Sequence, residues 1–368
     1  MELALYDPGS GYYARAAQRS GRAGDFFTSV DVGPLFGELL AIQVAEMAAI
    51  LDARSPEPGA QSPFDLVEAG AGNGRLSADI LRAARRNDPL LHQRTRLHLV
   101  EASASARAAQ RDTMGDEADR LVSSSGSLPP AFEGVLIANE LLDALPIHQV
   151  IMREDGLREV YVDLAGKRFV TREGPVSSPA LSGYLEALGI ALEPGWRTEI
   201  NLGAPAWIGE VARRLRRGFV ILIDYGHDAR ELYSPTHASG TLTTFTRHTM
   251  AGPESPADTP PWLVNPGEQD ITAHVDFTSV RAAAEAEGLT TLGFLDQTYF
   301  LLGLVEASSG SNPLNSSNHL NHLNLEERLA LKTLLMPGGL GSTHKVLILS
   351  KGVGTPTLRG CSYRMRVT

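Results

Sequence analysis

The chain has 368 residues, 43% hydrophobic and 21% charged, enough for one large α/β domain with insertions or for two domains. Its single cysteine, Cys361, excludes an internal disulfide, a cysteine-based zinc site and an iron–sulfur cluster, and fits a reducing compartment. A formal charge of −10 argues against a general nucleic-acid binder, which needs a cationic surface to displace counterions.

No apolar run approaches the roughly 18 residues of a membrane span. The N-terminus "MELALYDPGSGYYARAAQ" lacks a signal peptide's apolar core, and Glu2 and Asp7 disfavour a transit peptide. A cytoplasmic protein is expected.

In chain order, "SGRAGDFFTS" comes first. Gly21 and Gly24 bracket a turn, and Asp25 precedes Phe26 and Phe27, which could form an apolar flap or simply anchor the segment to a core. Tyr12 and Tyr13 share that ambiguity. The short apolar runs "FDLVEA", "RLHLVEA", "GVLIANE", "FVILIDYG" and "HKVLILSKG" suit strands buried on both faces of a largely parallel sheet. Between the first two, "LSADILRAARR" keeps Leu76, Ile80 and Leu81 on one helical face, as a crossover helix does. The class is therefore α/β, doubly wound.

Two segments interrupt the rhythm. Roughly from Ile147 to Pro194, apolar and polar residues alternate around an Asp-Gly and an Ala-Gly turn, predicting an antiparallel hairpin or meander followed by a helix near "YLEALGIAL". From Gly226 to Thr272 the chain is rich in Pro, Gly, Ser and Thr and reads as a long loop. "SSGSNPLNSSNHLNHLN" reads as a flexible connection before a helix at "LEERLALKTLLM". The expected organisation is an N-terminal lid and helix (1–50), a first core half (51–146), an inserted cap (147–200), a second core half with the long loop (201–352) and a tail (353–368).

The first βα turn carries the most chemistry. In "EAGAGNGRL", Gly70, Gly72 and Gly74 lie between a strand and a helix, where positive φ and the lack of a Cβ admit a close ligand. A dinucleotide turn would need glycine three residues after Gly72, and Arg75 stands there. Glu68 closes the strand, and a carboxylate would repel pyrophosphate but favour a cation. S-adenosylmethionine, with a sulfonium, an ammonium and no phosphate, suits that charge. Glu101, in "LVEAS" with Ala102, ends the next strand, where an acid accepts hydrogen bonds from ribose hydroxyls. A glycine turn that merely packs helix on strand is the plainer alternative.

"GDFFTSVDVGPLFGELLA", "EAGAGNGRL", "IANELLDALPIHQV", "LIDYGH", "GTLTTFTRH" and "PGEQDITAHVDFTSV" occur in an order that resembles one family of class I S-adenosylmethionine-dependent methyltransferases. That family includes the mitochondrial arginine methyltransferase assisting respiratory complex I assembly and its bacterial homologues. The likeness runs from Leu5 to about Gly352. It implies a Rossmann-like sheet of seven strands with an antiparallel last strand, S-adenosyl-L-methionine as cofactor, and methyl transfer to arginine of a protein substrate such as a complex I subunit. Two other activities stay open: a methyltransferase acting on a small molecule, or a cofactor-binding assembly factor with little turnover. No nucleic-acid partner and no membrane span are expected; a homodimer is compatible with the sequence.

Within that resemblance, the cofactor would be held by Glu68, Gly70, Gly72, Asn73, Gly74, Glu101, Ala102, Asn139 and Asp25. Guanidinium arrives charged, and paired carboxylates can orient it bidentately. "NELLDALP" offers Asn139, Glu140 and, three residues on, Asp143, on one face if a helix starts there; Asp143 serves equally as a helix-start carboxylate. In "LIDYGH", Asp224, Tyr225 and His227 would face the cleft, His227 as a base or as a loop-shaping hydrogen bonder. Glu268, Asp270, His274 and Asp276 match no helical metal spacing, so no metal is expected; Thr272 or Asp270 would cap the following helix.

Overall fold

The computed structural model describes residues 1–14, 25, 28–54, 62–255, 259–308, 324–336 and 343–363. Gly21, Gly24, Phe26, Phe27 and most of the connection at 308–324 lie outside them. The chain divides into two compact units. One comprises Met1–Phe26, Leu141–Glu210 and Tyr225–Ala284; the other comprises Phe27–Glu140, Val211–Asp224 and Glu285–Thr368.

The second unit is built on seven strands: β1 (Phe64–Ala69), β2 (Thr95–Val100), β3 (Leu121–Ser125), β4 (Phe132–Asn139), β5 (Leu215–His227, counted in this unit as far as Asp224), β6 (Thr290–Asp296) and β7 (His344–Lys351). They lie in the order β6-β7-β5-β4-β1-β2-β3. β1 pairs in parallel with β2 and β4, β4 with β5 and β2 with β3, while β6 and β7 are antiparallel. All six residues of β1 are buried, the carboxylates Asp65 and Glu68 among them, as expected of a central strand in a doubly covered sheet. Leu66, Val135, Ile137, Phe219, Ile221, Ile223, Val346 and Ile348 share a core with Phe36, Leu40, Val44 and Met47 of the helix Leu35–Ala53 and with the crossover helix Arg75–Asn87. Each such side chain contributes about 1.5–3 kcal/mol. The doubly wound sheet, its seven strands and the antiparallel last strand agree with expectation.

The chain moves outward from β1 to β2 and β3, then returns to place β4 on the other side of β1. That reversal is a topological switch point, and its carboxyl edge is where such sheets bind ligands. Register aligns the edge: Val100 pairs Ala69, Ala69 pairs Ala138, and Ala138 pairs Leu222. Glu101, Gly70, Asn139 and Ile223 therefore come level across four adjacent strands.

The first unit holds a four-stranded antiparallel sheet in the order Arg168–Gly174, Gly156–Ala165, His148–Arg153, Arg197–Ile200, so the expected meander forms and gains a fourth strand. The helix Pro179–Leu188 follows, with Ser178 accepting from Ala180 N and Gly189 in the left-handed region at its end. The stretch read as a long loop is not one throughout. Thr243–Thr246, Thr249–Ala251 and Asp270–Thr272 form a small antiparallel sheet. Its residues are threonine-rich, which suits strands, but the surrounding prolines and glycines mask the alternation.

Candidate functional site

The glycine turn adopts the conformation its residues allow. Gly70, Gly72 and Gly74 have φ of 71°, 51° and 84°. Gly70 N and Ala71 N donate to Val100 O at 2.9 and 3.1 Å, and Gly74 N to Ala71 O at 2.8 Å, so the turn is tied to the end of β2. Around Gly72 there is open space where a Cβ would stand, whereas one at Gly74 would come within 3.0 Å of Leu99. Gly72 is therefore the glycine whose bare face looks onto room for a ligand. Gln110 Nε2 fixes its carbonyl at 2.9 Å, and Asn73 Oδ1 accepts from Arg75 N at 3.3 Å.

Glu101 braces the turn from the next strand. Its Oε2 accepts from Gly72 N at 2.8 Å and its Oε1 from Ser103 N at 2.7 Å. A carboxylate has about four lone-pair sites, so each oxygen keeps capacity for a further donor. The Ala102 carbonyl accepts from Arg107 at 2.7 Å. Glu68 turns inward: its Oε2 accepts from Ser77 N at 3.1 Å and from the Ser77 hydroxyl, fastening β1 to the crossover helix. Burial pushes its carboxyl up to about 7, and Glu101 and Asp79 push the same way against the Ser77 hydrogen bonds.

One strand over, Asn139 ends β4. Its Nδ2 donates to Glu140 Oε1 at 3.2 Å, while its Oδ1 is buried with no hydrogen-bond partner among the described residues. Glu140 has φ of 50°, a left-handed conformation costly for a residue with a Cβ, and its N donates to Ile223 O at 2.8 Å. Its Oε1 also receives Ser29 N at 3.4 Å and lies 3.5 Å from His344 Nε2. Ser29 Oγ donates to Gln297 Oε1 at 3.2 Å, and Gln297 Nε2 is buried with no hydrogen-bond partner. Asp224, buried, stands near the end of β5.

Ser29, Gln297 and His344 were not anticipated. β6 runs antiparallel to β7, with Asp296 opposite Lys345, so the residue after β6 and the first residue of β7 come to one edge. Polar residues at those two strand ends were the available signal.

Asp143, Asp25 and His227 belong to the first unit. No helix begins at Asp143: the residues after Glu140 form turns, and the buried Asp143 accepts from Ala273 N through its main-chain oxygen at 3.1 Å. Pro146 lies just past these turns, leaving too few residues for a helix. Asp25 accepts from Tyr12 Oη at 2.8 Å and Arg247 N at 2.9 Å, and Tyr13 Oη donates to Asp270 at 2.9 Å. The expected cap of the helix Phe277–Ala286 is corrected. Asp270 and Thr272 lie in a strand, and Asp276 Oδ1 accepts from Thr278 N at 2.9 Å and Ser279 N at 3.3 Å. His227 neighbours His237 and His274. Burial first, then the two other imidazoles, lowers His274 to about 4.

Residues 39–295 match the family model described as "Putative S-adenosyl-L-methionine-dependent methyltransferase". The chain belongs to this methyltransferase family. It is similar to a Burkholderia thailandensis protein crystallised with S-adenosyl-homocysteine, with a TM-score of 0.83, 30% identity, and 98% of this chain and 88% of that one covered. It is also similar to proteins named protein arginine methyltransferase NDUFAF7, mitochondrial, in Mus musculus and in Homo sapiens. Both are 30% identical, with 82% of this chain and 68% of the relative covered.

This methyltransferase uses S-adenosyl-L-methionine, and the switch-point edge fits it: an open face at Gly72, a braced carboxylate at Glu101 and an unpartnered buried acceptor at Asn139. The expectation of a cytoplasmic protein is overturned, because these curated relatives are named as mitochondrial proteins. Among the described residues, no helix is long and apolar enough to cross a membrane.

Proposed function

We propose that this methyltransferase transfers a methyl group to arginine side chains of a protein substrate in respiratory complex I assembly. Glu140 is the observation that carries the reading. A carboxylate held in a strained backbone conformation beside an orphaned acceptor, at the sheet's ligand-binding edge, is suited to a guanidinium. The names of the mitochondrial relatives support arginine as the acceptor.

The cofactor supplies an electrophilic methyl on a sulfonium. In this reading the Gly72 face and the Glu101 carboxylate hold its nucleoside end, with Gly70, Asn73, Gly74 and Ala102 shaping the turn and Glu68 fixing that turn to its helix. Asn139 Oδ1, a buried acceptor, would be available to its ammonium. Glu140 orients the guanidinium so that one nitrogen is aligned for attack, which supplies rate through proximity. Asp143, Asp25 and His227 are assigned to the shaping of the other unit rather than to the reacting atoms.

The test is incubation of complex I, purified from cells lacking the relevant methyltransferase, with this protein and labelled cofactor. Methylarginine in a complex I subunit is expected. Label recovered only in small molecules, or none in arginine, contradicts the proposal.

A further inference from the structure

Three histidines far apart in sequence meet in the first unit. His227 ends β5, His237 closes the short 3-10 turn Pro235–His237, and His274 precedes Val275, which pairs with Gly226. One ring nitrogen or the other from each lies within 4.8 Å of those from the other two, and His227 Nε2 is 3.2 Å from His274 Nδ1. Tetrahedral zinc with metal–nitrogen bonds of about 2.0–2.1 Å separates neighbouring ligand nitrogens by about 3.3 Å. The His227–His274 pair already has that separation, and His237 lies within 4.8 Å of both.

The outer nitrogens are the second observation. His227 Nδ1 lies 3.0 Å from Glu231 Oε1, and His237 Nδ1 lies 3.0 Å from the Glu231 main-chain oxygen. An acceptor beside Nδ1 keeps the proton there and leaves Nε2 as the lone-pair nitrogen. Glu231 thus hydrogen-bonds His237 Nδ1 through its main-chain oxygen and sets its carboxylate close to His227 Nδ1, the outer-shell arrangement that metal-binding histidines use. The rings are tilted, at 45° and 39° between His227 and its two neighbours, so face-to-face stacking does not account for their meeting. His227 Nε2 and His274 Nδ1 face each other at 3.2 Å, a separation that a shared cation could replace with two metal–nitrogen bonds.

We propose that His227, His237 and His274 bind one divalent transition-metal ion of the zinc class, with Glu231 as the positioning residue. Imidazole ligands select such ions over magnesium or calcium. Three protein nitrogens leave a fourth position for water. The ion would staple the end of β5 to the turn before Val275 and to the short helix Ala229–Leu232, whose Glu231 serves two of the ligands. Sequence spacing could not reveal this site, since its ligands come one each from "DYGH", "SPTH" and "TAHV".

The test uses the full chain without an affinity tag, stripped with a chelator and titrated with zinc against a chromophoric competitor. Cobalt substitution supplies an independent spectrum. One equivalent per chain is expected, with cobalt d–d bands of imidazole coordination. His237→Gln should abolish stoichiometric binding, and Glu231→Gln should weaken it about 10–100-fold. Substoichiometric binding by the unaltered chain, or affinity unchanged in Glu231→Gln, overturns the proposal. The Glu231 side chain is 54% exposed, so that variant reports even if His237→Gln fails to fold, and S-adenosyl-homocysteine binding verifies folding in each.

Discussion

Glu68 pairs a buried carboxyl with two hydrogen bonds from Ser77, and its folded pKa of about 7 lies above its ordinary value. A raised carboxyl favours folding fully below the ordinary pKa of about 4.5, and that contribution is lost as pH rises through about 7. Glu68→Gln keeps an acceptor for Ser77 and removes the ionisation. Urea unfolding should show the variant losing less stability than the unaltered chain between pH 5 and pH 8, by on the order of 1–3 kcal/mol. Equal slopes would contradict the assignment.

Gly72→Ala places a Cβ at φ of 51° in otherwise open space. It should cost about 1–2 kcal/mol of stability yet weaken S-adenosyl-homocysteine by tenfold or more in calorimetry. Unchanged affinity would move the ligand elsewhere. Gly72, Glu101 and Asn139 were legible because fixed spacing after a strand encodes what a turn and a strand end present. Glu68 was legible as a residue but not in its orientation, since sequence does not say which way a strand-end side chain turns. Ser29, in a 3-10 turn, Gln297, at a helix start, and His344, at a strand start, reach Glu140 or one another through tertiary packing, which no local pattern records.

Among the elements, strands that are continuous apolar runs could be read directly. β3, "LVSSS", and β6, "TTLGFLD", could not, because they are short or half exposed and rich in Ser and Thr. The long proline-rich stretch hid three short strands for the same reason. The start of the helix Phe277–Ala286 was misplaced because several acids and threonines compete as caps in "EQDITAHVD", and only the strand pairing of Asp270–Thr272 decides among them. Asp276 accepts from two helix N–H groups and from Tyr184 Oη at 2.7 Å. Asp276→Ala should therefore destabilise the protein by about 1–3 kcal/mol in thermal or urea unfolding, with Asp276→Asn milder. A loss within error of zero would remove Asp276 as the cap.

For the whole molecule, strand order does most of the explaining. A reversal between β1 and β4 brings the glycine turn, Glu101 and Asn139 to one edge, the edge at which such sheets bind ligands. The acidic balance of the chain, −10, accords with a cationic acceptor. The sheet class and cofactor were readable from motif order, whereas the division into two discontinuous units was not, because it depends on which distant segments pack together. The most direct test of the account compares the unaltered chain with Glu140→Gln, measuring cofactor affinity and methyl transfer to protein arginine together. The account predicts affinity within about threefold and transfer lowered about 100-fold or more, as expected when an orienting group is lost. Transfer equal in the two proteins, with the cofactor bound equally, would contradict it.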